Sequence, residues 1–244
     1  MCERCAEARI APIPFARRNV LKFAGAAAAT LALGRTALAK EKKMPPKPQN
    51  VLSPDAALDR LMRGNQRYVE GLAKRHDFAH EREALTKGQN PFAAVLGCAD
   101  SRIAAEFCFD TALGDVFVCR VAGNFANEDI VASLEYAVAV LKTPLIMVMG
   151  HDACGAVDAT IKSVKDGTTL PGHLPALVAA IKPAVEAVKG QGGDMLANAI
   201  RSNVMLNVEK LQKATPILDA AVGDKSLRVV GGVYRLASGK VDLI

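Results

Sequence analysis

From Phe92 onward, short unbroken apolar runs alternate with longer stretches of helical spacing. The runs Phe92–Gly97, Val116–Val121 and Leu145–Gly150 are rich in Val, Ile and Leu and close at turn-forming or polar residues, so they read as strands buried on both faces. Between and after them, Asn127–Leu141, Cys154–Lys165, Leu174–Val188 and Leu196–Lys213 repeat apolar residues every three or four positions and read as helices. Gly190-Gln191-Gly192-Gly193 separates the last two of these helices, and Pro216 ends the second. Leu227–Tyr234 and Lys240–Ile244 flank an Ala-Ser-Gly turn as two closing strands. Strand and helix in strict alternation predict an α/β fold: a mostly parallel central sheet flanked by helices, because right-handed crossovers send the helices to both faces.

The N-terminal part differs in pattern. Ser53-Pro54-Asp55 offers an N-cap, a proline at the first helical position and an early acidic residue, and Leu58, Leu61 and Met62 follow at helical spacing. This predicts an N-terminal helical arm, with a second helix over Glu81–Lys87 ending at Gly88. Before Ser53 the pattern is not that of a fold. Arg17-Arg18-Asn19-Val20-Leu21-Lys22 is a twin-arginine pattern, followed by an Ala-rich apolar stretch from Phe23 to Leu33 and by Ala37-Leu38-Ala39, a small-residue cleavage signal. The apolar stretch is well short of the roughly 20 residues that a bilayer crossing needs, so no stable membrane anchor is expected. The chain divides into a signal peptide over 1–39, a flexible Pro- and Lys-rich arm over 40–52 and a single domain over 53–244. The expected destination is periplasmic or secreted, reached through the twin-arginine export machinery and cleavage near Ala39.

Charge supports this division. The formal net charge is +6, but the leader holds Arg4, Arg9, Arg17, Arg18, Lys22 and Arg35 against Glu3 and Glu7, which leaves about +2 from Lys40 onward. The basic balance is largely a targeting feature. With no basic stripe interleaved with aromatics, no nucleic-acid partner is expected. Cys2 and Cys5 leave with the leader. Cys108 and Cys119 sit in apolar strings, where a free thiol behaves as a small buried hydrophobe rather than half of a disulfide.

Two segments carry the chemistry. Cys98-Ala99-Asp100-Ser101-Arg102 follows the first strand and His151-Asp152-Ala153-Cys154-Gly155 follows the third, so both are presented at strand C-terminal ends, where open α/β sheets gather their ligands. Two thiols, an imidazole and a carboxylate form a donor set that tetrahedral zinc accepts, with one ion expected per chain. Two thiolates cancel the charge of the ion. The fourth position has two possible occupants. If Asp100 binds, the site is closed; if Asp100 turns to pair with Arg102, whose planar fork suits a carboxylate, water can enter and be acidified into a nucleophile. Cys154, at a predicted helix N-terminus, should ionise readily. His76, His80 and His173 lie in polar or loop contexts and read as non-ligands.

These residues, with Gly88-Gln89-Asn90-Pro91, Phe109-Asp110, Leu113-Gly114-Asp115-Val116-Phe117, Arg120-Val121-Ala122-Gly123-Asn124, Glu135-Tyr136-Ala137 and Val229-Val230-Gly231-Gly232-Val233-Tyr234, make the chain resemble the β-class carbonic anhydrases from about Leu58 to its end. The resemblance implies a zinc enzyme that interconverts carbon dioxide and bicarbonate, built as a homodimer or higher even oligomer whose N-terminal helices embrace the partner. It implies Cys98, His151 and Cys154 as zinc ligands, with Asp100 as a fourth in the closed form, and Asp100 with Arg102 as the dyad that takes a proton from the reacting water and orients it. It also implies Gln89, Phe117, Gly123 and Tyr136 as walls of the substrate pocket, Gln89 often reaching across the dimer interface. One departure is Val95, where regulated members of the family carry tryptophan. Within the same fold, hydrolysis of carbon disulfide or carbonyl sulfide is the sister activity, and a non-catalytic zinc or bicarbonate binder is the non-enzymatic alternative. A zinc deaminase is excluded, because its H-x-E and P-C-x-x-C motifs are absent.

Overall fold

The computed structural model describes residues 52–244; the expected export leader, the expected cleavage point at Ala39 and the expected arm up to residue 51 lie outside the described residues. Five strands form one sheet: β1 (Ala93–Gly97), β2 (Val116–Arg120), β3 (Leu145–His151), β4 (Arg228–Tyr234) and β5 (Val241–Leu243), in the order β2-β1-β3-β4-β5. All neighbours are parallel except β4 and β5, which pair antiparallel across the short turn before Val241. The eight helices of the described residues are α1 (Pro54–Val69), α2 (Phe78–Leu85), α3 (Ala105–Cys108), α4 (Glu128–Ala139), α5 (Gly155–Asp166), α6 (Leu174–Ala187), α7 (Met195–Gln212) and α8 (Leu218–Gly223).

Every residue of β1 and of β3 is buried, and the two-residue period of a strand divides them between two cores. Ala94, Leu96, Ile146 and Val148 face a layer containing α4 to α8, with Leu134, Val157, Ile181, Val204 and Leu218 among its buried side chains. Ala93, Val95, Leu145, Met147 and Met149 face the other way, onto α1 and α3 through Ala57, Leu58, Leu61, Ala105 and Cys108. The sheet is therefore covered on both faces, as its continuous apolar strands require.

Helix α1 begins as its sequence dictates: the Ser53 hydroxyl accepts a hydrogen bond from the Ala56 amide, with Pro54 next in line. It packs on the sheet of its own chain. Gly64 allows the close approach, since a Cβ there would sit 1.8 Å from the Phe109 carbonyl oxygen. Asn65, only 2% exposed, fastens the helix: its Nδ2 donates to the carbonyls of Cys108 (2.9 Å) and Gly239 (2.8 Å), and its Oδ1 accepts from the Val241 amide (2.8 Å).

The observed boundaries lie close to the expected ones, with three differences. The second helix starts at Phe78 rather than Glu81, because the Asp77 carbonyl accepts the Glu81 amide at 2.9 Å and opens the helix a turn earlier. Helices α3 and α8, of four and six residues, had no counterpart in the sequence reading, since neither is long enough to show a period. No helix of the described residues is long and apolar enough to cross a membrane.

Candidate metal centre

β1 and β3 are adjacent and parallel, so the residues that follow them emerge at the same sheet edge. Cys98 leaves β1, His151 ends β3, and Cys154 is the N-cap of α5. Their ligand atoms lie within 4.8 Å of one another, and the three residues are 5%, 0% and 1% exposed, respectively. A tetrahedral ion with bonds of roughly 2.0–2.3 Å fits among donors at such separations.

The imidazole is oriented for a ligand. His151 Nδ1 lies 2.8 Å from the Asp152 carbonyl, which can only accept, so Nδ1 carries the proton and Nε2 presents its lone pair. Nε2 is buried and has no hydrogen-bond partner. A bare, buried imidazole nitrogen facing two thiols is a donor set that calls for a soft or borderline cation. Asp152 itself is pinned: its amide donates to the Tyr234 carbonyl (3.1 Å) and its Oδ1 accepts from the Leu236 amide (2.9 Å), tying the ligand turn to the end of β4. Ala153, between the two ligands, adopts φ 51°, a left-handed conformation uncommon for alanine that turns the chain back toward the site.

The two thiols are hydrogen-bonded to each other. The hydrogen bond from Cys154 pulls the Cys98 thiol well below its ordinary value, against burial, with His151 and the Gly123 amide acting in the same direction. Cys154 moves up, through that same contact and its burial, while the amides of Val157 and Ala156 at the start of α5 draw it down. For His151, burial pushes the imidazole down, but the contacts with Cys98, the Asp152 carbonyl and the Asp100 carboxylate together make the net shift up. The Gly123 amide donates to Cys98 Sγ at 3.2 Å. Gly123 has φ 84°, and a Cβ on it would meet Ile181 Cδ1 at 2.4 Å, so only glycine brings this amide to the sulfur.

Asp100 and Arg102 form a bidentate pair. Arg102 Nε donates to Oδ1 (2.9 Å) and Nη2 to Oδ2 (2.7 Å), and the Arg102 amide adds a third bond to Oδ1 (2.9 Å). These bonds hold the Asp100 carboxyl well below the usual carboxylate range. Its Oδ2 remains 3.9 Å from His151 Nε2, so the carboxylate flanks the ligand group while turned to the guanidinium. Arg120 secures the loop from the other side, donating to the Cys98 carbonyl (2.9 Å) and the Asp100 carbonyl (2.6 Å).

Of the expected pocket walls, only Gly123 joins this cluster within the chain. Gln89 is exposed and precedes β1, so the length of that strand, roughly 3.3 Å per residue, separates it from Cys98. Phe117, on the edge strand β2, pairs in register with Ala94. Its ring lies 6.4 Å from that of Tyr136, which is 47% exposed on α4. Phe117 and Tyr136 thus sit at the β2 edge of the sheet. Cys108 and Cys119 are buried free thiols, as their apolar surroundings suggested, and burial pushes both up to about 11. The sequence reading did not assign the roles of Asp152 and Ala153, nor the Arg120 bonds that hold the Cys98–Asp100 loop. Only the φ of Ala153 and the loop's hydrogen bonds reveal them.

Comparison with known proteins agrees with this geometry. Residues 93–241 match the family model described as carbonic anhydrase. Carbonic anhydrase of Mycolicibacterium smegmatis is 38% identical over 192 residues, covering 78% of this chain and 93% of its own. Carbonic anhydrase 2 of Mycobacterium tuberculosis has the same identity and coverage. Among solved structures, a tetrameric β-carbonic anhydrase of Sordaria macrospora superposes with a TM-score of 0.62 at 25% identity, over 77% of this chain and 96% of that one. The Coccomyxa β-carbonic anhydrase in complex with acetazolamide gives 0.59 at 28% identity, over 77% and 86%. With a parallel sheet that presents two thiols and an imidazole at one edge, and relatives alike over nearly their whole length, the chain belongs to the β-class of the carbonic anhydrase family.

Proposed function

We propose that this chain hydrates carbon dioxide reversibly at a zinc ion held by Cys98, His151 and Cys154. The observation that carries the assignment of the ion is the bare, buried Nε2 of His151 facing two buried thiols. When bound, zinc acidifies a water molecule and supplies the nucleophile for carbon dioxide. The chain does the rest. Cys98 and Cys154 offset the charge of the ion, and the Gly123 amide stabilises the Cys98 thiolate. Arg102 fixes the direction of the Asp100 carboxylate, which stays ionised at neutral pH and faces His151 Nε2, where it accepts a proton and orients the reacting water. In this reading the pairing of Asp100 with the guanidinium, at 2.9 and 2.7 Å, supports a site whose fourth position would be open to water.

The working unit in this reading is a dimer or higher even assembly. Phe117 lies on the open edge strand with Tyr136 beside it, where a second copy would bring them to its neighbour's site, and the exposed Gln89 would reach across in the same way. The tetrameric Sordaria relative supports an even assembly. The twin-arginine pattern and Ala37-Leu38-Ala39 support export and a periplasmic location for the domain from residue 53 onward. The test of the activity is stopped-flow hydration of carbon dioxide by metal-quantified protein, with carbon disulfide as the competing substrate. Hydration in proportion to zinc content is the expected result. Turnover of carbon disulfide with no hydration would contradict it.

A further inference from the structure

A second polar cavity, of about 380 Å³, lies between α1 and the segment that follows it. It is separate from the metal centre: none of the ligands or the dyad lines it, and it opens beside Phe92, which precedes β1, whereas Cys98 follows that strand. Its wall is cationic. Arg60, Arg63 and Arg67 project from one stripe of α1, and Lys74 and Arg75 from the loop after it.

Three carboxylates also line the cavity, and each is already engaged by the protein. Asp110, whose side chain is 2% exposed, accepts Arg67 Nε (2.6 Å) and the Lys74 amide (2.9 Å). Glu81 accepts the Leu113 amide (3.1 Å) and faces His76 Nδ1 (3.2 Å). Asp115 accepts the Ala112 amide (2.8 Å) and pairs with Arg60 (3.4 Å), whose guanidinium is stacked 4.1 Å over the Phe92 ring. The carboxylates thus act as supports that set the directions of Arg60 and Arg67. Arg63 pairs outside the cavity with the exposed Asp59. Neither the Lys74 ammonium nor the Arg75 guanidinium forms an ion pair among the described residues. Leaving His76 aside, five cations against three carboxylates give the cavity lining a formal charge of +2.

From this juxtaposition of a concave wall, pre-set guanidiniums and two uncommitted cations we infer that the cavity is a binding site for a small phosphate-bearing polyanion. A monovalent anion such as bicarbonate or chloride would neutralise half of the excess charge, whereas one phosphate group, with about two negative charges at neutral pH, matches it and can be bridged by more than one guanidinium. Free inorganic phosphate and phosphate esters share this chemistry. The site does not depend on the reaction proposed for the metal centre.

The test is calorimetric titration of the zinc-loaded protein in dilute buffer with fructose 1,6-bisphosphate as probe, and with inorganic phosphate and chloride for comparison; zinc content is measured before and after. Saturable binding of one phosphate-bearing ligand per chain is expected, tighter than that of chloride and weakened by added salt. In Lys74→Gln/Arg75→Gln, which changes only exposed side chains, affinity should fall at least about tenfold with carbon dioxide hydration unchanged. Arg102→Ala should bind the bisphosphate like the wild type. Absence of saturable binding, wild-type affinity in the double variant, or loss of binding in Arg102→Ala would each overturn the proposal, the last by placing the anion at the metal centre.

Discussion

At the residue scale, the centre depends on side chains whose chemistry cannot be exchanged. Cys154→Ser replaces a soft thiolate by a hydroxyl that does not ionise at neutral pH, so the variant should lose zinc and thermal stability together. Elemental analysis beside a melting curve checks this, and full zinc occupancy in the variant would exclude Cys154 as a ligand. Gly123→Ala tests the support of Cys98. The added Cβ would meet Ile181 at 2.4 Å in a backbone conformation that favours glycine, so the amide must leave Cys98 Sγ. Stability should drop by about 1–3 kcal/mol from the overpacking, and zinc should dissociate faster in a chelator chase. Unchanged release would remove Gly123 from the account. The donor types and the dyad were legible in the sequence because C-x-D-x-R and H-x-x-C each follow an apolar strand. The tautomer of His151 was not, because it depends on a carbonyl, and carbonyls leave no mark on residue identity.

At the scale of elements, α1 shows what periodicity conveys and what it omits. Leu58 and Leu61 announced an apolar face, but the surface that this face covers is set by Gly64 against Phe109 and by three hydrogen bonds of Asn65, neither of which fits an amphipathic pattern. A polar residue fastening the helix reads in a sequence as one more solvent-facing position. Asn65→Ala would leave two carbonyls and an amide without their partner, at about 1–3 kcal/mol for each group that stays buried. Its unfolding free energy should therefore fall by several kcal/mol, measured by urea unfolding; a loss under about 0.5 kcal/mol, the range of ordinary surface changes, would contradict the docking described. Asp110 links the same helix to the loop after it. Burial opposes its ionisation, but Arg67 and the Lys74 amide prevail and hold its carboxyl below the ordinary value. A carboxylate lowered on folding stabilises the protein above its unfolded pKa of about 4, and that contribution is lost as pH falls through the folded value. Asp110→Asn should therefore reduce wild-type stability at pH 7 and flatten its decline below about pH 4; identical acid profiles would show that the carboxylate contributes nothing.

At the scale of the whole molecule, the sheet order was legible only in part. Alternating strands and helices specify parallel crossovers, yet the position of β2 at one edge and β5 at the other depends on contacts between elements far apart in sequence. That order leaves Gln89, Phe117 and Tyr136 outside their own chain's ligand cluster. It gives a test of assembly. If Gln89 serves the site of a neighbour, Gln89→Ala and Arg102→Ala should each be slow alone, whereas hybrids formed by co-expression should recover one competent site per mixed dimer. No recovery in purified hybrids would confine Gln89 to its own chain. The cationic cavity beside α1 is another whole-molecule property, since Lys74 and Arg75 join the α1 arginines only after folding. The leader makes a separate prediction. Changing Arg17-Arg18 to Lys-Lys should leave unprocessed chain in the cytoplasm, and a normal mature N-terminus near Lys40 would contradict export by that route.

The central claim is that Asp100, aimed by Arg102, works beside a zinc ion held by Cys98, His151 and Cys154. The measurement that tests it most directly is stopped-flow carbon dioxide hydration by Arg102→Ala, with zinc quantified in the same sample. Removing the guanidinium frees the Asp100 carboxylate to turn toward the ion without touching the three ligands. Zinc should stay near one per chain while hydration falls by about 10²- to 10⁴-fold, the range for losing a positioned acid–base group. Full hydration activity in Arg102→Ala at every pH, with zinc still bound, would contradict the account.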